Sequence, residues 1–239
     1  MAKLKPNETR AKTAIILIWI VLGFEIISLI SSFLQLNLLH NSEAGELITM
    51  EELNSNNLRV QVIAIMYIIV SIISGVTFIM WFRRAYYNLH QKVSYLSYDD
   101  GWAAGAWFVP IMNWFRPLQI MKELYTYTPE FLTNKGIEFE NKLQKWSLIV
   151  WWTLWITGGI LGNIGSQLSR RAEEAVEFIF STNISIIGNV IGIVLAIITV
   201  KIISDYAKVE PLLFETEDLN DQINSDSFNI GTSTTLLDD

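Results

Sequence analysis

Four long apolar runs constrain this chain more than any other feature of its sequence. They cover residues 13–36, 60–82, 146–165 and 184–204. A hydrocarbon core about 30 Å thick is crossed by roughly 20 helical residues, so each run is long enough to span a membrane. We therefore predict an all-α membrane protein with four transmembrane helices.

The composition agrees with a membrane protein and excludes several chemistries. Apolar residues make up 51% of the 239 residues, which exceeds what an ordinary mixed soluble domain needs. The sequence has no cysteine, so disulfides, thiolate metal centres and cysteine nucleophiles are excluded. It also lacks the motifs of nucleophile-elbow hydrolases, zinc proteases and P-loop proteins. We expect no catalytic residue, no metal, no other cofactor and no nucleic-acid partner.

The basic residues predict the orientation in the membrane. Fourteen lysines and arginines lie before the first span, between the second and third spans, or near and beyond the end of the fourth. The two other connections hold three: Arg59, Arg170 and Arg171. Because cytoplasmic loops carry the excess of positive charge, both termini are predicted to lie in the cytoplasm of a multi-pass protein of the cell (inner or plasma) membrane. An even number of spans agrees with this orientation.

The chain is thus predicted to have three parts. Residues 1–12 form a basic cytoplasmic arm, and residues 13–204 form the four-helix transmembrane domain. Residues 205–239 are acidic, lack a hydrophobic period and are predicted to be a disordered cytoplasmic tail.

Glu25 is an acidic residue deep within a predicted span, near the middle of the bilayer. Three polar residues follow it at helical spacing, Ser28, Ser32 and Gln35. An ionised carboxylate at this depth costs several kcal/mol, so Glu25 should be protonated, hydrogen-bonded or next to a wet cavity. The preferred interpretation is a structural hydrogen bond to Ser71 or Ser74 of the second span. The alternative is a proton or ion path.

The connection between the second and third spans contains an apolar segment, residues 101–115, that is too short to cross a bilayer. It is predicted to be a re-entrant or interfacial element, continued to residue 128 by an amphipathic helix that begins at Pro117. Pro110 and Asn113 are predicted to lie side by side at a kink, and the alternative is a straight interfacial helix with a mild bend. Arg83 and Arg84 follow the second span and suit anchoring at the cytoplasmic boundary.

The sequence GWAAGAWFVPIMNWFRPLQIMKELY, preceded by WFRRAYYNL, resembles an uncharacterised family of bacterial multi-span membrane proteins. That family is a domain of unknown function with the signature GWxxGxWFxPIxNxxxP. The resemblance covers Trp81 to Tyr125, and the four-span layout extends it over residues 13–204. It implies a domain of the bacterial inner membrane and no particular activity. The residues that match the family pattern are Gly101, Trp102, Trp107, Pro110, Asn113, Pro117 and Glu123.

Three functions remain open at this point. A non-catalytic membrane-embedded module for assembly, regulation or interaction is preferred, and a small transporter or channel component that uses Glu25 and residues 101–115 is the alternative. A lipid-headgroup enzyme, with Asp99, Asp100, Arg116 and Glu123 at the interface, is the second alternative. The candidate functional or structural residues are Glu25, Arg83, Arg84, Gly101, Trp102, Trp107, Pro110, Asn113, Arg116, Pro117 and Glu123.

The expected partners are the lipid bilayer and, through glycine faces, a second copy of the chain or another membrane protein. These faces contain Gly158, Gly162, Gly188 and Gly192. Small residues at helical spacing let helices approach closely in lipid, where no hydrophobic drive joins them. A tight hairpin of the third and fourth spans would use the same residues.

Overall fold

The computed structural model describes residues 3–216, which contain α-helices and one 3-10 turn but no strand. The helices are α1 (Glu8–Glu43), α2 (Met50–His90), α3 (Trp102–Gly105), α4 (Arg116–Asn134), α5 (Lys145–Arg171) and α6 (Ala175–Val209), and the 3-10 turn covers Met112–Trp114. The all-α prediction is confirmed.

Four of these helices, α1, α2, α5 and α6, are long and apolar enough to cross a membrane. In the most apolar stretch of each, at most 28% of the residues are buried by the protein itself. Most residues of these stretches are therefore at least partly accessible from outside the protein, as side chains that face lipid must be. The prediction of a membrane protein with four candidate spans is confirmed.

Residues 9–81 and 145–204 form one of two compact units, which we call the four-helix unit. Within it, α5 and α6 are joined by three residues and pack closely. A side chain in place of Gly165 would have its Cβ 3.2 Å from Cγ2 of Ile184, and one in place of Gly158 would lie 3.6 Å from Ile191. Glycines therefore allow the two helices to pack as the predicted hairpin.

The other unit, which we call the connector unit, contains residues 3–8, 82–144 and 205–216 among those described. Its central helix is α4, which has Pro117 in its first turn. The helix is amphipathic, as predicted, and its buried face includes Pro117, Ile120, Met121, Leu124 and Thr128. Tyr125 of α4 stacks on Tyr206 at 6.3 Å between ring centroids, and Thr128 shares a 3.1 Å hydrogen bond with the Tyr206 hydroxyl.

Residues 101–115 do not form a straight interfacial helix. The single turn of α3 is followed by irregular turns and then by the 3-10 turn. The backbone N–H of Asn113 donates to the Val109 carbonyl at 2.8 Å, which closes a turn around Pro110. Pro110 has no N–H to continue a helix, and this explains the break.

The predicted boundaries differ from the structure at both ends of the chain. α1 begins at Glu8, within the predicted basic arm. The disordered tail was predicted from residue 205, but α6 continues to Val209 and the described chain stays helical or turned through Thr216. Tyr206, Val209 and Leu213 are buried at helical spacing, which the acidic composition concealed. Residues 217–239 of the predicted tail lie outside the described residues.

The N-terminal segment of the connector unit is held by a buried carboxylate, that of Glu210, directly after α6. The Asn7 side-chain amide donates to both of its oxygens, at 3.1 and 3.0 Å. The Asn88 amide donates to Oε1 at 2.7 Å and to the Lys5 carbonyl at 2.9 Å, and it accepts from the Lys5 N–H at 3.0 Å. Glu210 and Asn88 thus tie residues 5–7 to the end of α2.

Burial raises the pKa of Glu210 from 4.5 to about 7, although the bonds from Asn7 and Asn88 and the charge of Arg84 offset part of this effect. Because the pKa is higher in the folded than in the unfolded state, the protein should lose stability as the pH rises from about 4.5 through about 7. The expected loss is on the order of 3 kcal/mol. Thermal unfolding at pH 5 and pH 8 would measure it.

The matched control is Glu210→Gln, which keeps an acceptor oxygen for Asn7 and Asn88 but cannot ionise. Its melting temperature should change less between pH 5 and pH 8 than that of the wild type. An identical pH dependence in both proteins would contradict the assignment to Glu210.

Candidate functional site

Glu25 lies in the interior of the four-helix unit, where 5% of its surface is exposed. Its Oε1 accepts a 2.6 Å hydrogen bond from the hydroxyl of Tyr67 on α2. The expectation of a hydrogen bond to the second span is confirmed, but the partner is Tyr67 and not Ser71 or Ser74. A phenol reaches farther than a serine hydroxyl, so Tyr67, one turn earlier on α2, was the signal that the sequence analysis missed.

Gly192 of α6 makes room for this carboxyl group. Any side chain at position 192 would overlap the Glu25 carboxylate, because a Cβ placed there meets both of its oxygens. One of the glycines predicted to mediate helix packing is thus required by Glu25. Glu25 is therefore enclosed by α1, α2 and α6.

A cavity of about 420 Å³ lies at the end of the four-helix unit where α1 and α5 end and α2 and α6 begin. All four helices line it, and Tyr67, the partner of Glu25, is among the lining residues. The predicted stripe of Ser28, Ser32 and Gln35 faces this cavity. The other lining residues with hydroxyl or amide side chains are Ser31, Ser166, Ser169, Ser181, Thr182, Ser185 and Asn189.

In the connector unit, Glu123 is buried and makes internal hydrogen bonds. Its carboxylate accepts from the Tyr86 hydroxyl at 2.5 Å and from the Ser97 N–H at 3.1 Å. Burial, followed by the bond to Glu123, raises the pKa of the Tyr86 hydroxyl, so Tyr86 remains a donor. Glu123 therefore fixes the segment after α2 to α4.

Arg116 begins α4 and is surrounded by aromatic rings. Its guanidinium lies 4.0 Å from the ring centroid of Tyr98 and 5.9 Å from that of Trp102. The Tyr98 hydroxyl donates to Gln119 at 3.1 Å, which orients the ring. The structure thus brings Tyr98, Trp102 and Arg116 together in a cation–π cluster, and Pro117 follows Arg116 in the first turn of α4.

Asp99 and Asp100, which precede α3, contribute backbone carbonyl groups to the start of this helix. The carbonyls of Asp99 and Asp100 accept from the N–H groups of Trp102 and Ala103 at 3.0 and 3.3 Å. No group of three His, Asp or Glu side chains that could hold a metal ion occurs among residues 3–216. A Cβ placed on the neighbouring Gly101 would meet no atom within 4 Å.

An apolar loop, residues 107–115, projects from the connector unit. Phe108, Ile111 and Trp114 are 75%, 77% and 60% exposed. At the start of the loop, the ring of Trp107 packs edge-on against Phe82, with 6.3 Å between ring centroids. Arg83, which follows Phe82, is exposed. The loop is thus fixed beside the residue at which the predicted second span ends.

The hydrogen bond of Glu25 can be tested by two substitutions of similar size. Glu25→Gln keeps an acceptor for Tyr67 and should melt close to the wild type in detergent. Glu25→Leu removes the acceptor and should lower stability by about 1 kcal/mol, the size of an interhelical hydrogen bond in a membrane protein. If neither variant changed the melting temperature, Glu25 would face lipid instead of Tyr67.

Comparison with known proteins adds one finding. A family described as Domain of unknown function (DUF4328) matches residues 44–208. No curated protein and no solved structure matches the chain. The matched region includes α2, α3, the apolar loop, α4, α5 and α6 up to Lys208, whereas α1 with Glu25 precedes it. Because the match covers more than half of the sequence, the chain belongs to the family of the domain of unknown function DUF4328.

Proposed function

We propose that this protein is a non-catalytic membrane-embedded interaction module that holds residues 107–115 at the cytoplasmic surface of the bilayer. The observation that carries the proposal is the contact of Trp107 with Phe82. Phe82 is the last residue of the predicted second span, so its neighbour Trp107 lies at the depth where hydrocarbon gives way to headgroups. Tryptophan is enriched at this depth because it has an apolar body and a polar N–H.

The side chains that follow Trp107 support the same position. Phe108, Ile111 and Trp114 have more than half of their surface exposed. Burying such a side chain stabilises by roughly 1.5–3 kcal/mol, so lipid is a much better environment for these three than water. The loop backbone is irregular, and irregular backbone facing lipid is not tolerated in the hydrocarbon core. An interfacial position is therefore favoured over a deep re-entrant one.

The orientation of the module follows from its charges. The exposed Arg83 comes directly after Phe82, where it would meet the anionic headgroups of the cytoplasmic leaflet. Fourteen of the seventeen basic residues fall on the same side of the predicted spans. Both termini and the connector unit are accordingly assigned to the cytoplasmic side of the cell membrane.

Few of the predicted glycine positions remain for packing against another membrane protein or a second copy of the chain. The space beside Gly158 is filled by Ile191, and the space beside Gly192 is filled by Glu25, both inside the four-helix unit. Gly162 borders the cavity. Gly188 has no neighbour within 4 Å and is not among the cavity-lining residues, so it is the position at which a partner helix would pack.

A transporter or channel component is the second candidate. The observation that favours it is the Glu25–Tyr67 hydrogen bond beside a cavity that all four long helices form and that hydroxyl, amide and apolar side chains line. The lipid-headgroup enzyme has less support, because two of its four proposed groups have internal roles. Glu123 is bonded to Tyr86 and Ser97, and Arg116 stacks on Tyr98.

The interfacial position can be tested with single cysteines, since the chain has none of its own. A fluorophore attached at Ile111→Cys should be quenched most strongly by lipids that carry a quencher close to the headgroup. The matched control is Ser94→Cys, an exposed position in the same connection, which should not be quenched. Equal accessibility of both positions to an aqueous quencher would contradict the proposal, and strongest quenching from the bilayer centre would indicate a re-entrant loop.

A further inference from the structure

We propose that the cavity of the four-helix unit is a binding site for a small monovalent cation, either an alkali-metal ion or a primary ammonium. The site lies in a different unit from the apolar loop, so this inference does not depend on the interfacial position of that loop. It extends the function from interaction with lipid to recognition of a solute. Three features support it: the direction of the hydrogen bonds, the placement of charge, and the available space.

The hydroxyl groups on α6 turn their hydrogens away from the cavity. Thr182 donates to the Phe178 carbonyl at 2.7 Å, and Ser185 donates to the Ser181 carbonyl at 3.0 Å. Ser181 also donates to Phe178, at 3.0 Å. Each of these oxygens therefore has only lone pairs left for a ligand. A ligand that supplies positive charge or N–H donors matches them, and an anion does not.

Tyr67 extends this pattern to α2. Its hydroxyl hydrogen is used in the bond to Glu25, so its oxygen is also an acceptor. A cation at the Tyr67 oxygen would be one hydrogen bond away from the Glu25 carboxyl group. Glu25 could then remain ionised, because a nearby positive charge offsets the cost of a carboxylate inside the membrane. Neutral oxygens would replace the hydration shell of the ion, as they do in ion-selective proteins.

The positive side chains nearest to the cavity are engaged by other groups. Arg59 donates to the Ser31 hydroxyl at 3.1 Å and to Asn56 at 2.6 Å. It precedes Tyr67 by eight residues on α2, which is about 12 Å along the helix axis. Arg170 donates to Ser166 at 2.8 Å, near the end of α5. Both guanidinium groups originate near the ends of their helices, where each contacts a serine that lines the cavity, Ser31 or Ser166. We assign the cation to the other acceptors, the Tyr67 oxygen and the hydroxyl oxygens of α6.

The space is sufficient for the proposed ligands. A volume of about 420 Å³ exceeds the roughly 30 Å³ that one water occupies in the liquid, so a partly hydrated ion or a small amine fits. Gly162 lines the cavity, and a side chain added there would meet no atom within 4 Å at its Cβ. A larger residue at position 162 would thus fill the cavity without displacing a neighbouring helix. This provides a way to block the site.

The test is a binding measurement on the full-length protein in lipid nanodiscs. Sodium, potassium and methylammonium chlorides are titrated by calorimetry and by thermal shift, with N-methylglucamine chloride at the same ionic strength as the bulky control. We expect saturable binding of at least one small cation. Glu25→Gln should weaken it at least tenfold, and Tyr67→Phe should also weaken it. The order of affinity among the three salts distinguishes a metal ion from an ammonium.

Two glycine variants locate the site. Gly162→Leu should abolish binding, whereas Gly159→Leu should bind like the wild type, since Gly159 lies on the same helix but does not line the cavity. If Gly162→Leu fails to fold, the affinity of Glu25→Gln decides the question alone. The proposal is overturned if no small cation differs from N-methylglucamine, if Glu25→Gln binds as tightly as the wild type, or if only a neutral polyol such as glycerol binds.

Discussion

The outward-facing apolar surface of the four long helices is the constraint on which the rest of the structure depends. Ile65, Ile69 and Ile72 of α2 are all about half exposed or more. In water, every square ångström of apolar surface left unburied on these side chains would cost roughly 25 cal/mol of stabilising free energy. In a bilayer the same surface costs nothing, because lipid is as apolar as the side chains. Lipid is therefore the solvent of the four-helix unit.

Because lipid offers no hydrogen-bond partners, the polar side chains of the four long helices are expected to face the interior of the four-helix unit. The Glu25 carboxyl group is enclosed by Tyr67 and lies in the space that Gly192 leaves. The hydroxyl side chains of α6 satisfy themselves by donating to carbonyls one turn earlier, as serine and threonine often do in membrane helices. Their remaining lone pairs face the cavity. The hydrogen bonds that these hydroxyl groups donate within α6 thus leave acceptor oxygens on the wall of the cavity.

The connector unit differs from the four-helix unit, because buried hydrogen-bonded pairs of polar side chains join its segments. Tyr86 with Glu123 fixes α4 to the end of α2, and Asn7 with Glu210 fixes the N-terminal segment to the end of α6. The carboxylate of each pair accepts hydrogen bonds on both of its oxygens, so the cost of burying it is partly offset. The loop that begins at Trp107 is attached to this unit through Phe82.

The long-range periodic features could be predicted from the sequence, and the pairwise contacts could not. Run length and the buried face of α4 follow from hydrophobicity alone, and both were correct. The predicted partner of Glu25 was wrong because the sequence shows which residues share a helix face but not how α1 and α2 pack. That packing determines whether Tyr67 or Ser71 reaches the Glu25 carboxyl group. The helical structure beyond residue 204 was missed because buried Tyr206 and Leu213 stand among acidic residues. Glu210 and Asn88 left no sequence signal, since their contact joins positions 122 residues apart.

The central claim is that polar residues line a cavity open to one side of the membrane while apolar residues face lipid. A membrane-impermeant thiol reagent added to intact cells tests it most directly, with cysteine at Ser42 in the first connection, Ser185 in the cavity, Ile160 on the apolar surface of α5 and Ser94 in the connector unit. The account predicts reaction at Ser42 and Ser185, none at Ile160, and reaction at Ser94 only after the cells are opened. Reaction at Ser94 but not Ser42 in intact cells, or at Ile160 as fast as at Ser185, would contradict it.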